Sequence, residues 1–209
     1  MLFEIHCHST YSDGSNTPKE IVGFARKNGL SGIAITDHDA IAGSLEALNY
    51  ASRDFKVVPG MEISAVEGHI IALNVRELVP RDLPAAKTIE MIHSQGGLAV
   101  AAHPYDVRRY GVGDLITKLP FDAVEVVNGH TFANRKDPVK VCRAHGIPMV
   151  GGSDAHSGKD VGSVAVEYDG DVLAAIKSGR TAIRNKPMAM LIVNHAVDIV
   201  RRKALKHLK

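Results

Sequence analysis

The sequence predicts a single α/β domain in which strands and helices alternate and the strands gather in a barrel-like arrangement. Three observations lead there. Short apolar, β-branched runs alternate with helical patterns along nearly all of the 209 residues. No GxGxxG fingerprint follows the first strand and no GxxxxGKS/T occurs, which argues against dinucleotide-binding and P-loop folds. Imidazoles and carboxylates recur where strands end, the place where barrels assemble their active sites.

The elements follow in order. LFEIHCH (2–8) reads as the first strand. Thr17-Pro18-Lys19-Glu20 then starts a helix, with Thr17 as N-cap, Pro18 at the first helical position and Glu20 completing a capping box. Asn28-Gly29 stops it, and SGIAIT (31–36) is the second strand. Ser44 to Arg53 is mostly helix, with Leu45 and Leu48 on one face. FKVVPGMEIS and GHIIALNV are two strand-like runs joined by Ala65-Val66-Glu67-Gly68. Residues 84–95 form a helix closed by Gly96-Gly97, before the strand LAVAAH (98–103). A looser helical patch near 111–118 precedes the strand DAVEVV (122–127). Asn134 to His145 is a helix ended by Gly146, and IPMVGG (147–152) is the next strand. GSVAVEY (162–168), a helix from about Asp171 to Ser178 and a final helix from about Pro187 complete one domain spanning 1–209.

Composition narrows the class. Hydrophobic residues are 45% and charged residues 23%, which excludes global disorder. No 18-residue apolar run and no basic segment before a long apolar one is present, so neither a membrane span nor a secretory signal is expected. Cys7 and Cys142 read as reduced thiols of a cytoplasmic protein. The formal charge of +2 is misleading, because Arg201, Arg202, Lys203, Lys206 and Lys209 lie in the last nine residues. Without that tail, 20 basic residues face 23 acidic ones, a net charge of −3. With aromatic residues at 5%, an extended nucleic-acid track is not expected.

Eleven histidines without a tryptophan are the unusual feature. His6 and His8 share a face at the end of the first strand, and Asp13 follows. Asp37-His38-Asp39 follows the second strand, Glu62 lies in the third run and His69 begins the fourth. His103 ends LAVAAH, and Asp154 and His156 follow IPMVGG. Each has an ordinary explanation when taken alone: Asp13 a turn acid, Asp39 a helix cap, His69 or His103 a satisfied core histidine. Jointly they would burden a core with six histidines and three carboxylates that all need partners, and metal ions supply such partners. Imidazole and carboxylate ligands suit Zn²⁺, Mn²⁺ or Fe²⁺, with Mg²⁺ a further option. Nine ligands exceed what one ion takes, so two or three ions are implied. Cys7 points away from His6 and His8 on an alternating strand and is assigned to packing.

These segments resemble the PHP (polymerase and histidinol phosphatase) superfamily of metal-dependent phosphoesterases. The matching stretches are His6-Cys7-His8-Ser9 with Asp13-Gly14, Ile35-Thr36-Asp37-His38-Asp39, Gly60-Met61-Glu62, Gly68-His69-Ile70, Ala101 to Pro104 and Gly152-Ser153-Asp154-Ala155-His156. The ending from Gly179-Arg180-Thr181 to Asn185 is also similar. The resemblance implies a distorted (β/α)7 TIM-like barrel. It places one metal on His6, His8, Glu62 and Asp154, and a second on Glu62, His69 and His103. Asp13, His38 and His156 would hold a third.

The expected chemistry is hydrolysis of a phosphate monoester of a small molecule, nucleotide-like or histidinol-phosphate-like, by a hydroxide bridging two of the ions. Asp37 is the candidate proton donor, or else it orients a ligand imidazole. Arg135, Lys159 and Asn128 follow strands and are candidate phosphate contacts, ahead of Lys136, Arg180 and Arg184. A metal-dependent exonuclease or phosphodiesterase is the enzymatic alternative. A metal-dependent amidohydrolase shares the chemistry, but the family's motif order favours phosphorus. A partner-docking role for the basic C-terminal helix is the non-enzymatic alternative.

Overall fold

The computed structural model describes residues 1–185. The helix expected from about Pro187, and with it the basic tail, lies outside the described residues. No helix among the described residues is long and apolar enough to cross a membrane.

Among the described residues, ten strands form two five-stranded sheets. The first holds β1 (Leu2–Glu4), β2 (Gly32–Ile33), β3 (Lys56–Val57), β9 (Val164–Tyr168) and β10 (Thr181–Asn185), in the order β10-β9-β1-β2-β3. The second holds β4 (Gly60–Ala65), β5 (Gly68–Leu73), β6 (Leu98–Ala101), β7 (Ala123–Asn128) and β8 (Met149–Gly152) in sequence order. Five helices cover them: α1 (Pro18–Lys27), α2 (Ala42–Ala47), α3 (Ala85–Ser94), α4 (Pro138–His145) and α5 (Val172–Lys177).

The α/β class holds, but the hydrogen bonding departs from an all-parallel barrel. β1-β2-β3 and β6-β7-β8 are parallel. β4-β5, β5-β6, β1-β9 and β9-β10 are antiparallel. The cause of the first reversal is local. The connection from Ala65 to Gly68 holds only two intervening residues, which is enough for a hairpin and far too short for a parallel crossover. Two isolated parallel bridges, Cys7 with Ala155 and His38 with Glu62, link the sheets where the ligand-bearing segments emerge.

Most helices form for the reasons the sequence shows. Thr17 accepts from the Glu20 backbone N–H while the Glu20 carboxylate accepts from that of Thr17, so the capping box is complete. Ile21, Val22 and Ala25 then share the buried face of α1. α4 starts later than expected, at Pro138, because Asp137 caps it by accepting from the Val139 and Lys140 N–H groups. The patch near 111–118 is a 3₁₀ turn over Gly113–Thr117, and the helix from Ser44 is a short α2 followed by a 3₁₀ turn over Leu48–Tyr50.

The core positions the site. An inner cluster draws on both sheets, with Phe3, Ile5, Ala34, Val58, Ile71, Val100, Ala102 and Val150 in contact. Ile5 precedes His6, Ala102 precedes His103, and Val150 lies four residues before Asp154. Each of these segments therefore passes through the apolar layer before reaching a polar residue. The ligand candidates form the lid of this core.

Candidate metal centre

The nine candidate ligands converge at one end of the sheets. His6 and His8 lie beyond β1, His38 beyond β2, His103 beyond β6, and Asp154 and His156 beyond β8. Glu62 projects from within β4, and His69 stands at the start of β5 opposite Ser64. Because β5 runs against its neighbours, the beginning of that strand meets the ends of the others.

Glu62 is the hub. Its Oε2 lies 3.2 Å from His6 Nε2, 3.4 Å from His8 Nε2 and 3.2 Å from His38 Nδ1. Its Oε1 lies 3.2 Å from both His69 Nδ1 and His103 Nε2. Asp154 Oδ1 lies 3.2 Å from His8 Nε2 and 3.6 Å from His6 Nε2. On the open side, Asp13 approaches His156 Nε2 at 3.1 Å and His8 Nδ1 at 3.8 Å. Three groups have ligand atoms close enough to share an ion: His6, His8 and Asp154; His38, Glu62 and His69; and His8, Asp13, His38 and His156. Here His38 and His8 each belong to two groups, so the partition among ions is less sharp than the resemblance implies.

The donor set fits divalent cations. His6 Nε2, His8 Nδ1, His69 Nδ1 and His103 Nδ1 are buried ring nitrogens with no hydrogen-bond partner. His6 Nε2 and His69 Nδ1 lie beside Glu62 oxygens without the alignment of a hydrogen bond. Orphaned polar atoms concentrated in one place are costly unless something else satisfies them, and a cation does so. Two of the candidates also adopt left-handed backbone, His103 at φ 29° and Asp154 at φ 53°. Strain of this kind gathers at functional sites.

Charge and burial set the proton affinities. Burial favours neutral His6, but Glu125 and Glu62 outweigh it and raise the pKa to about 10. Burial pulls His8 down to about 3 and His38 to about 4, with Glu62 opposing in both cases. Burial would raise the Glu62 carboxyl, yet the His6 charge and the His103 ring hold it well below the usual carboxylate range. Asp13 likewise overcomes partial burial and is held low by the hydrogen bond and charge of His156.

The remaining sequence-derived candidates fall in different places. Asp37 is fully buried and turned to the loop that carries Asp13: its carboxylate accepts from Ser9 N, Ser9 Oγ and Ser12 Oγ, each at 2.7 Å. Asn128 is bound up internally, donating through Nδ2 to Glu125 Oε2 at 3.0 Å and Asp154 Oδ2 at 3.1 Å, while its Oδ1 accepts from His130 N. Arg135 and Lys159 are exposed. Cys7 is buried in a core cluster with Ile33 and Ile35.

Two residues at the site carried no motif. Arg109 is held by burial below its ordinary pKa and is ion-paired with Asp154, with Nη1 also 3.4 Å from Asn128 Oδ1. Its loop is pinned by Asp106, which accepts from the Arg108 and Arg109 N–H groups and from Thr131 Oγ1. Glu125 is fully buried and accepts from His6 Nδ1 at 2.9 Å. Its sequence signal was a carboxylate inside the apolar run DAVEVV.

The chain is similar in sequence and fold to known proteins. The PHP domain model matches residues 4–116, and a PHP-associated model matches residues 134–181. An uncharacterized protein of Methanocaldococcus jannaschii is 38% identical over 143 residues, covering 62% of this chain and 83% of that protein. A 5'-3' exoribonuclease of Haemophilus influenzae is 32% identical over 149 residues, covering 68% of this chain; the match spans only 48% of the exoribonuclease. Among solved structures, a two-domain protein of Bacteroides vulgatus containing a predicted PHP-like metal-dependent phosphoesterase superposes with TM-score 0.74. It shares 20% identity, over 88% of this chain and 64% of that one, and so shows likeness of fold.

Proposed function

The chain belongs to the PHP domain family, and from that premise we propose that it is a metal-dependent phosphoesterase hydrolysing a phosphate monoester of a small molecule, nucleotide-like or histidinol-phosphate-like. The observation that carries this reading is the cluster around Glu62, where five imidazoles approach one buried carboxylate and four ring nitrogens lack partners.

In this reading His6, His8, Glu62 and Asp154 hold one divalent cation, Glu62, His69 and His103 a second, and Asp13, His38 and His156 a third. Such cations neutralise phosphoryl charge and acidify bound water. The protein's own contribution is positional. Burial of His6, His8, Glu62, His103 and Asp154 keeps water from the inner face, while the mostly buried but accessible His38, His69 and His156 and exposed Asp13 form the mouth. Arg109 lies among the ligands with guanidinium donors to spare, which suits it to a phosphoryl oxygen better than exposed Arg135 or Lys159. Asp37 holds the Asp13 loop in place rather than exchanging a proton with substrate.

A second reading, removal of a terminal nucleotide from a short nucleic acid, has its own support. The aromatic residues are few, but Tyr11, Tyr110 and Phe132 are exposed on loops that adjoin the site. Tyr110 packs edge-on against His69, and Arg108 lies over the Phe132 ring at 4.7 Å. Exposed rings of this kind can stack bases. Rates on nucleoside monophosphates and on 5'-phosphorylated oligonucleotides separate the two. The first reading expects phosphate release from monoesters to dominate. Nucleotide release from oligonucleotides at least tenfold faster would replace it with the second.

A further inference from the structure

Glu125 lies one layer behind the candidate ligands and touches three of their supports at once. Its Oε1 accepts from the His6 ring at 2.9 Å, and its Oε2 accepts from the His103 backbone N–H at 2.9 Å. The same Oε2 accepts from Asn128 Nδ2 at 3.0 Å, and that amide also donates to Asp154 Oδ2 at 3.1 Å. One carboxylate thus braces residues beyond β1 and β6 and, through Asn128, one beyond β8. Glu125 and Asn128 are three residues apart and would ordinarily face opposite sides of β7. The register shift between Glu125 and Val127 inserts a residue and turns both toward the site.

We propose that Glu125 is the positioning residue of the innermost metal position: it holds His6 as the Nδ1–H tautomer with Nε2 aimed at the cation, steadies the left-handed His103 backbone, and through Asn128 selects Asp154 Oδ1 as the metal-facing oxygen. The geometry supports each part. His6 Nδ1 is engaged by Glu125, while Nε2, on the Glu62 side, has no hydrogen-bond partner. Asp154 Oδ2 is taken by Asn128 and by the ion-paired Arg109, leaving Oδ1 3.2 Å from His8 Nε2. A carboxylate behind a ligand imidazole both fixes the ring and strengthens it as a donor. The inference rests on the metal-centre reading and adds to it the device that preorganises the centre.

The test is Zn²⁺ binding by chelator competition in the full-length protein and its Glu125→Gln variant. A glutamine has one acceptor oxygen where the two carboxylate oxygens serve three N–H groups, and it turns its amide donor either toward the His6 ring or toward the His103 N–H and the Asn128 amide. The tightest ion should therefore bind about 10- to 100-fold more weakly. Asp171→Ala, which removes the cap of α5 beyond the end of β9 that pairs with the start of β1, opposite the end where the candidate ligands emerge, should leave the affinity unchanged and so separates positioning from general loss of stability. Binding by folded Glu125→Gln within about twofold of the parent would overturn the inference while leaving the metal centre standing. Failure of the parent to take up Zn²⁺, Mn²⁺ or Fe²⁺ would overturn the metal centre itself. Should the variant not fold, nitrogen-15 spectra of the Zn²⁺-loaded parent decide: a His6 ring proton on Nδ1 is expected, and one on Nε2 contradicts the inference.

Discussion

His6 and His8 are two residues apart and equally buried, yet they are poised on opposite sides of neutrality. Glu125 and Glu62 lift His6 to a pKa of about 10, whereas His8, lacking a partner on Nδ1, is pulled by burial to about 3. This difference makes a prediction for protein stripped of metal. The folded pKa of His6 lies above its ordinary 6.5, so its stabilising contribution is complete below that value and is lost as pH rises through 10. His8 and His38 work in the other direction. Below pH 6.5 the unfolded chain takes up protons that the folded site refuses down to about 3 and 4, so stability falls on acidification. The stripped protein should melt at its highest temperature between about pH 6 and pH 7 and lower on either side. A melting temperature that rises steadily from pH 7 to pH 9 would contradict the charge assignment of His6.

The nine candidate ligands, which the fold brings to one end of the sheets, were legible because imidazoles and carboxylates at strand ends are conspicuous against apolar runs. Glu125 and Arg109 were not. The first is a polar interruption of a buried strand whose orientation depends on a bulge, and the second is one of two adjacent arginines in a loop. Nothing in the spacing of Asn128 indicated that both ends of its amide would be used inside the protein.

At the scale of elements, the strands do more than fill a core. β8 ends in Gly151 and Gly152 before the turn to Asp154. A Cβ at position 152 would lie 2.5 Å from Glu125 Oε1 and 2.6 Å from His6 Cβ, so the glycine permits a close approach that the site requires. Gly152→Ala should cost about 1–3 kcal/mol through overpacking, read as a lower denaturation midpoint, and should weaken metal binding along with it. A variant as stable as the parent that also binds metal equally would show that the packing behind His6 is looser than described. The capping box of α1 and the glycine stops were readable because their signals are local. The antiparallel course of β5 also has a local cause, the two-residue connection from Ala65 to Gly68, but alternation of apolar runs by itself does not reveal strand direction, and nothing local announces the pairing of β10 with β9. The expected barrel accordingly appears as two sheets bridged at single residues.

At the scale of the whole molecule, candidate ligands from both sheets meet above an inner apolar cluster that itself draws on both sheets. Binding of metal to the folded state alone should stabilise it in proportion to the logarithm of the free ion concentration. The positive formal charge comes from a tail outside the described residues and gives no hint of nucleic acid, whereas the exposed rings and the arginines near the site lie within the body of the chain. The most direct test of the central claim is phosphate release from a panel of nucleoside monophosphates and other phosphomonoesters, measured on metal-loaded protein, after chelation, and after restoring Zn²⁺, Mn²⁺ or Fe²⁺. The account predicts release that falls by at least about a hundredfold on chelation and returns with the ion. Phosphoester hydrolysis unchanged by complete metal removal, or none on any monoester or oligonucleotide by protein whose metal content is confirmed, would contradict it.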